Sequence, residues 1–149
     1  MSAAKPHEHA FTLRVYYEDT DAGGVVYNAN YLKFAERART EMLRDAGLHQ
    51  TEIRKDHNIV FVVTKASITY KRPAHLDDVL VVKTALTGHT NSRMSLTQNV
   101  WREHTLICAM EVEIATVKIQ DDGHSIKAHH TPQMVLDALA GHGITATSS

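Results

Sequence analysis

The fold prediction starts from residues 17–31, which read Tyr17-Glu18-Asp19-Thr20-Asp21-Ala22-Gly23-Gly24-Val25-Val26-Tyr27-Asn28-Ala29-Asn30-Tyr31. Three carboxylates lie within four residues, two glycines follow closely, and a long helical pattern then begins. A helix start offers unpaired N–H groups and a partial positive charge. A carboxylate beside such donors is suited to attack a polarised carbonyl, or to direct water at it.

The pattern that follows predicts one long helix from about Asn28 to Ala46. Its apolar face is formed by Tyr31, Phe34, Ala35, Ala38, Met42 and Ala46. At about 1.5 Å per residue such a helix is about 28 Å long, enough to cross a small sheet. Gly47 suits a left-handed stop, and Thr51 is the expected cap of a short further helix to about His57.

The remaining segments are mostly strand-like. Apolar and polar residues alternate from Phe11 to Tyr17, which predicts a strand. Four more strands are predicted: Ile59 to Tyr70, Val79 to Leu86, Ser92 to Arg102 and Leu106 to Ile119. Strands this long and close in sequence favour an antiparallel meander, and Thr131-Pro132 predicts the start of a last short helix. The fold class is therefore α+β, with a long central helix wrapped by a curved antiparallel five- to six-stranded sheet.

Composition indicates one folded domain. The 149 residues are 43% hydrophobic and carry a net charge of −1, which argues against disorder and against general binding to nucleic acid or membrane surfaces. We expect a disordered N-terminal arm over residues 1–9, the domain over residues 10–140 and a frayed C-terminus over residues 141–149. The mainly apolar strand at 59–63 predicts contacts with a second copy, at least in a dimer.

Compartment is predicted from cysteine usage and hydropathy. Cys108 is the sole cysteine, so an internal disulfide is excluded and a reducing compartment is indicated. The N-terminus lacks the apolar core of a signal peptide. No apolar run approaches the roughly 20 residues of a spanning helix. These features predict a soluble, cytoplasmic protein without membrane insertion.

Chemical candidates gather around Asp21, which is the expected nucleophile or general base. Gly24 leaves room for a ligand, and the backbone N–H groups of Tyr27 and Asn28 are the candidate donors to an oxyanion. Tyr17 is a candidate hydrogen-bond partner near the same loop. Each has a structural alternative: Asp21 as a turn acid, Asn28 as a helix cap, and Tyr17 as a core strand residue.

Cations form a second group of candidates. Lys71, Arg72 and Arg93 lie at or near strand ends and are expected either to contact the phosphates of a nucleotide-bearing substrate or to be solvated surface charge. The eleven histidines are scattered and include no His-Glu-x-x-His arrangement, so no metal site is predicted. Cys108 lies within an apolar strand, where packing is its expected role.

The Asp21 stretch resembles the motif of the hotdog-fold acyl-CoA thioesterases of the 4-hydroxybenzoyl-CoA thioesterase type. It is most similar to the Tol–Pal-associated acyl-CoA thioesterase subgroup. The matching segments are Val15 to Tyr27, Tyr31, Phe34 to Arg44, and more weakly Ile68 to Ala74 with Asp77-Asp78. Beyond this first half of the chain the similarity is one of strand pattern only.

This resemblance implies acyl-CoA hydrolysis without metal or cofactor, in dimers with sites between subunits and often in homotetramers. It places the essential aspartate at Asp21 and the carbonyl-polarising amide at Asn28. In the close subgroup a tyrosine matching Tyr17 is linked to activity. A histidine is usual there at the position of Asn28, so this chain lacks that imidazole.

Two other functions remain open from the sequence. The first is a non-catalytic module that binds an acyl thioester, carried either by CoA or by acyl carrier protein. The second is a hydratase of enoyl thioesters, which is disfavoured because Asn28 removes the nearest histidine. The carboxylate placed before the helix start favours hydrolysis, since a pure binder does not require it.

Overall fold

The computed structural model describes residues 7–146, and within them it contains three α-helices and six β-strands. In chain order these are β1 (Glu8–Arg14), α1 (Asn30–Asp45), α2 (Gln50–His57), β2 (Ile59–Tyr70), β3 (Val79–His89), β4 (Arg93–Arg102), β5 (Thr105–Ile119), β6 (Ile126–Ala128) and α3 (Gln133–Gly141). The predicted α+β class is confirmed, and every predicted helix and long strand is present. The short strand β6 was not predicted individually.

All the strands form one antiparallel sheet in the order β1-β3-β4-β5-β2, with β6 beside the end of β5. Strands β3, β4 and β5 pair as consecutive neighbours, so the predicted meander is confirmed for these three. β1 pairs with β3 and β2 pairs with the far side of β5. β1 and β2 therefore lie at opposite ends of the sheet, and the segment that contains α1 and α2 connects them.

Helix α1 packs along one face of this sheet. Its inward side chains Phe34, Ala35 and Ala38 are completely buried. Alternate residues of a strand point to one face, and in β4 the buried ones face α1: Met94, Leu96, Gln98 and Val100. The central helix and the inner face of the sheet therefore share one core.

Gln98 is a buried polar side chain in this core and ties the helix to the sheet. Its Nε2 donates to the Ala35 carbonyl and to Thr84 Oγ1, each at 3.0 Å. Its Oε1 accepts a hydrogen bond from Arg39 Nη1 at 2.9 Å. Burial lowers the pKa of the Arg39 guanidinium, although nearby Glu36 acts in the opposite direction. This network fixes the middle of α1 over β3 and β4.

Strand β2 forms one end of the sheet. Its outer edge has no strand partner among residues 7–146. Residues 63–67 are exposed on both faces, and the apolar side chain of Val63 is 47% exposed. An open edge with exposed apolar side chains is suited to pairing with another strand. This edge is therefore compatible with the contact to a second copy that the sequence predicts, and that contact stays a prediction.

The chain ends differ from the sequence-based expectation. β1 begins at Glu8, so the predicted arm over residues 1–9 is wrong for Glu8 and His9, while residues 1–6 lie outside the described residues. α3 continues to Gly141, and Ile144 is only 3% exposed, with its N–H donating to the Leu139 carbonyl. The predicted fraying is therefore wrong up to Ile144, and residues 147–149 lie outside the described part.

Two predicted helix caps are also wrong. α2 begins at Gln50 after His49, so Thr51 lies inside the helix. The cap position of α3 is Pro132, and the buried Thr131 hydroxyl instead bonds to the Thr116 hydroxyl at 2.7 Å. Within residues 7–146 the helices are all too short or too polar to cross a membrane.

Candidate active site

The loop between β1 and α1 carries most of the predicted site residues. After β1 the chain makes a 3-10 turn at Tyr17–Asp19 and then a tight hairpin. Thr20 pairs with Val26, and the Asp21 N–H donates to the Val25 carbonyl at 2.9 Å. The hairpin brings residue 21 and the start of α1 onto one small unit.

Asp19 braces this unit from inside. Its side chain is 5% exposed. Its Oδ2 accepts from the Tyr16 N–H at 2.9 Å and its Oδ1 from Asn30 Nδ2 at 3.2 Å, while its backbone carbonyl accepts from the Tyr27 N–H at 3.0 Å. Asp19 is thus a structural carboxylate that joins the 3-10 turn to the first turn of α1. The sequence reasoning grouped it with Asp21 and missed this role.

Replacing Asp19 with alanine is expected to destabilise the protein by about 2–3 kcal/mol. The change leaves the Tyr16 N–H and the Asn30 amide without their acceptor in a partly buried site, and a lost charged partner costs roughly that much. Urea denaturation measures the free energy of unfolding. The exposed neighbour Glu18, changed to alanine, should stay within about 0.5 kcal/mol of wild type, and an equal loss in both variants contradicts the assignment.

Asp21 is exposed at the tip of the hairpin. Its Oδ1 accepts from the Gly23 N–H at 2.8 Å, and its carbonyl accepts from the Gly24 N–H at 3.0 Å. Gly24 has φ +80°, and a Cβ on Gly23 would lie 3.2 Å from Asp21 Oδ1. The two glycines therefore permit the turn that holds the carboxylate, while its Oδ2 has no hydrogen-bond partner among residues 7–146.

The helix start supplies one of the two predicted main-chain donors. The Tyr27 N–H is occupied by the Asp19 carbonyl, so its prediction as an oxyanion donor is wrong. The Asn28 N–H has no acceptor among the described residues. α1 begins at Asn30, two residues later than predicted, but turns from Tyr27 to Asn30 and from Asn28 to Tyr31 extend the helical path backward.

The other candidates near the loop lie on the surface. Tyr17 is 81% exposed in the 3-10 turn, so its alternative role as a core strand residue is wrong, and Tyr27 is 57% exposed. Lys71 and Arg72 are exposed just after β2. The segment 71–75 borders the hairpin, because the Val26 N–H donates to the Ala74 carbonyl at 2.8 Å.

Arg93 lies elsewhere. Arg102 is the last residue of β4, and its Nη1 donates to the carbonyl of Pro73, in the segment that borders the hairpin, at 3.1 Å. Arg93 is the first residue of the same strand and so lies at its other end. A strand of this length spans roughly 30 Å. A single chain therefore does not bring Arg93 together with Asp21.

A cavity of about 310 Å³ lies beside the middle and C-terminal turns of α1, from Glu36 to Leu43. Met42, Phe61, Met94 and Ile114 contribute to its apolar wall, and Arg39 is one of its polar lining residues. The residues predicted as site residues do not line it. The sequence did not locate this cavity, because its wall combines the helices with four strands from distant parts of the chain.

Two other kinds of site, a metal centre and a reactive cysteine, were considered within residues 7–146. Among residues 7–146 there is no cluster of three or more His, Cys, Asp or Glu side chains suited to hold a metal ion. Burial raises the pKa of Cys108 to about 12. Its thiol is neutral at pH 7 and buried, which makes it a packing residue rather than a nucleophile.

Comparison with known families decides the relationship. A model of the thioesterase-like superfamily matches residues 15–139. The chain belongs to this superfamily. The matched range includes the hairpin, α1 and most of the cavity wall of this thioesterase-like protein.

Individual relatives support the assignment. Acyl-CoA thioester hydrolase YbgC of Escherichia coli O6:H1 is 45% identical over 106 residues, which cover 70% of this chain and 78% of the relative. A probable thioesterase from Bartonella henselae is 35% identical with a TM-score of 0.77, covering 84% of this chain and 99% of that structure.

A third comparison concerns the fold alone. A mutant 4-hydroxybenzoyl CoA thioesterase in complex with 4-hydroxybenzoyl CoA has a TM-score of 0.82 at 17% identity, covering 89% of this thioesterase-like chain and 99% of that structure. Together these similarities confirm the predicted hotdog fold and the predicted resemblance to thioesterases.

Proposed function

We propose that this thioesterase-like protein hydrolyses acyl-CoA thioesters to a free acid and CoA, with Asp21 as its nucleophile or general base. The observation that carries the proposal is the hairpin, which presents an exposed carboxylate and a free helix-start N–H on one braced unit. The similarity to acyl-CoA thioester hydrolase YbgC supports the same reaction.

The mechanism follows from these two groups. The thioester oxygen accepts a hydrogen bond from the Asn28 N–H, which stabilises the negative charge that develops on it. Asp21 either attacks the carbonyl carbon, giving an acyl anhydride that water cleaves, or takes a proton from an attacking water. In both routes the carbon–sulfur bond breaks, CoA leaves as its thiolate, and one water is consumed. Gly24 leaves space beside the carbonyl.

A thiol-release assay over short, long and aromatic acyl-CoAs, with an acyl carrier protein thioester as a further donor, tests the reaction. We expect free thiol in stoichiometric amounts with free acid. Saturable binding without free thiol would contradict hydrolysis and favour the binding module.

The structure also motivates a proposal for assembly. In one chain the hairpin lies at the start of α1, whereas the cavity extends along the helix to Met42, which lies about 18 Å from Asn30 along the helix axis. Antiparallel pairing of β2 with β2 of a second copy would set the Phe61–Val63 end of one chain beside the Ser67–Tyr70 end of the other. Such two-fold pairing would bring each hairpin next to its partner's cavity, so we propose a dimer with shared sites, which can assemble further into a homotetramer.

Lys71 and Arg72 are proposed to contact the phosphates of CoA, because they are exposed beside the hairpin. Replacing both with alanine is expected to raise KM about 5- to 10-fold at low salt with kcat unchanged, and the difference should shrink at high salt. Steady-state kinetics at two ionic strengths measures this. The exposed pair Lys118 and Lys127 on β5 and β6, changed to alanine, is the control, and equal effects in both pairs contradict a phosphate site at Lys71 and Arg72.

A further inference from the structure

Tyr70 makes a contact with the helix start that the mechanism above does not use. It is the last residue of β2, and its hydroxyl donates to the Asn28 carbonyl at 3.2 Å. Its ring packs against the ring of Tyr31, with centroids 5.9 Å apart. Tyr31 is 2% exposed and belongs to the core. The contact with this buried ring therefore fixes the position of the Tyr70 ring and its hydroxyl.

The peptide that Tyr70 contacts carries a second free donor. The Asn28 carbonyl and the Ala29 N–H belong to one planar peptide group. Neither the Asn28 N–H nor the Ala29 N–H has an acceptor within residues 7–146. Ala29 has helical dihedral angles, with φ −67° and ψ −20°. In a helical path the first N–H groups point out of the N-terminal end, so the two donors face the same side.

The two donor-bearing peptides are held differently. The peptide before Asn28 is fixed at its carbonyl, because the Asn30 N–H donates to the Tyr27 carbonyl at 2.8 Å. The peptide after Asn28 receives only a long bond of 3.4 Å from the Tyr31 N–H within the helix. Of the two hydrogen bonds that the Asn28 carbonyl accepts, the one from the Tyr70 hydroxyl is therefore the shorter.

We propose that the Ala29 N–H is a second donor to the thioester oxygen, and that Tyr70 is the positioning residue that orients and polarises its peptide. The proposal rests on the proposed function. A hydrogen bond accepted by a peptide carbonyl strengthens the N–H of the same peptide as a donor. Orientation in advance of the reaction is what makes such donors effective for charge that develops in the transition state. The Tyr70 hydroxyl itself does not touch the substrate.

The test is Tyr70→Phe, which removes the hydroxyl and keeps the ring on Tyr31. We expect kcat to fall on the order of 10-fold, less than the 10²- to 10³-fold typical for loss of a whole donor, with KM unchanged. The melting temperature should stay within about 3 °C of wild type, since the ring contact with Tyr31 is retained and a single hydrogen bond of 3.2 Å is lost. Tyr16→Phe, which removes an exposed hydroxyl and keeps the backbone bond to Asp19, should leave kcat unchanged.

A second readout does not depend on turnover. A thioester with a ¹³C-labelled carbonyl is bound to the Asp21→Asn variant, and the carbonyl stretch is recorded by difference vibrational spectroscopy. Donation from both N–H groups should lower the stretching frequency relative to that in water, and adding Tyr70→Phe should reverse part of that shift. A purely structural role of Tyr70 would not change the frequency of the bound carbonyl.

The outcomes separate this inference from the proposed function. If wild-type protein releases CoA while Tyr70→Phe matches it in kcat and in carbonyl frequency, the role of Tyr70 is overturned and hydrolysis stands. An increase in KM with unchanged kcat would equally overturn it, because that pattern reports binding common to substrate and transition state. If no thioester is hydrolysed by wild type, the proposed function fails, and the vibrational shift alone decides whether Tyr70 polarises the carbonyl site.

Discussion

Replacing Asp21 with asparagine is expected to reduce hydrolysis by at least about 10³-fold while the protein keeps its fold and its affinity for acyl-CoA. The asparagine side-chain oxygen can still accept the Gly23 N–H, so the turn that shapes the hairpin is preserved. The change removes the negative charge, and with it both the nucleophile and the base. The loss should therefore fall on kcat rather than on ligand affinity.

Thiol release and calorimetric binding of an acyl-CoA measure the two quantities. Asp122→Asn is a matched control, because Asp122 is an exposed turn carboxylate that accepts the His124 and Ser125 N–H groups at 2.9 and 2.7 Å, between β5 and β6. It should behave as wild type. Turnover near normal in Asp21→Asn would end the proposed mechanism.

The route that Asp21 takes can be separated by a single turnover in ¹⁸O-labelled water. Attack by the carboxylate and hydrolysis of the anhydride at its aspartyl carbonyl leave one ¹⁸O on Asp21. Action as a base, like hydrolysis of the anhydride at its acyl carbonyl, leaves the label only in the released acid. An ¹⁸O label found on Asp21 by mass spectrometry of the hairpin peptide therefore demonstrates attack by the carboxylate, with Asp122 in its own peptide as the unlabelled reference.

Filling the cavity is the change with the next largest expected effect. Met94→Trp places a larger side chain into the space beside Phe61 and Ile114, and we expect it to abolish hydrolysis of long acyl-CoAs. If each site combines the hairpin of one chain with the cavity of its partner, mixing this variant with Asp21→Asn by joint refolding restores activity. Half of the dimers are then mixed, each with one intact site, so recovery to about a quarter of wild type is expected.

Each variant refolded alone should stay inactive. Met134→Trp is the control for bulk, because Met134 is 42% exposed on α3 and does not line the cavity, and its activity should be retained. Sedimentation analysis of the mixture reports the oligomer directly. Absence of recovery from mixtures in which mixed dimers are demonstrated would assign the hairpin and the cavity to the same chain.

Local sequence signals were sufficient for most of the fold. The apolar stripe of residues 31–46 and the alternation that begins at Phe11 predicted α1 and β1, because each pattern repeats with the geometry of one helix or one strand. The position of β2 beside β5 was not predictable in this way. It depends on pairing across more than forty residues, for example Val62 with Ala115, which no local period encodes.

The site was predicted in part for a related reason. Asp21 was predicted because the spacing of the acid and the two glycines is typical of a turn, and a turn depends only on residues close in sequence. The burial of Asp19 depends on Asn30, and the contact of Tyr70 depends on Asn28, so both follow from tertiary structure. The cavity escaped prediction since it exists only where helices and strands from distant parts of the chain meet.

The exposed edge of β2 has a consequence for how far association can proceed. If β2 pairs with β2 of a second copy, both of these edges are covered and association stops at two molecules. If β2 instead paired with β1 of the next copy, each added molecule would leave another edge open, and filaments would form. β1 offers only seven residues for that purpose, with the charged side chains Glu8 and Arg14 at its ends. If copies associate through their sheet edges, the greater length of β2 is expected to favour the closed pair over fibre growth.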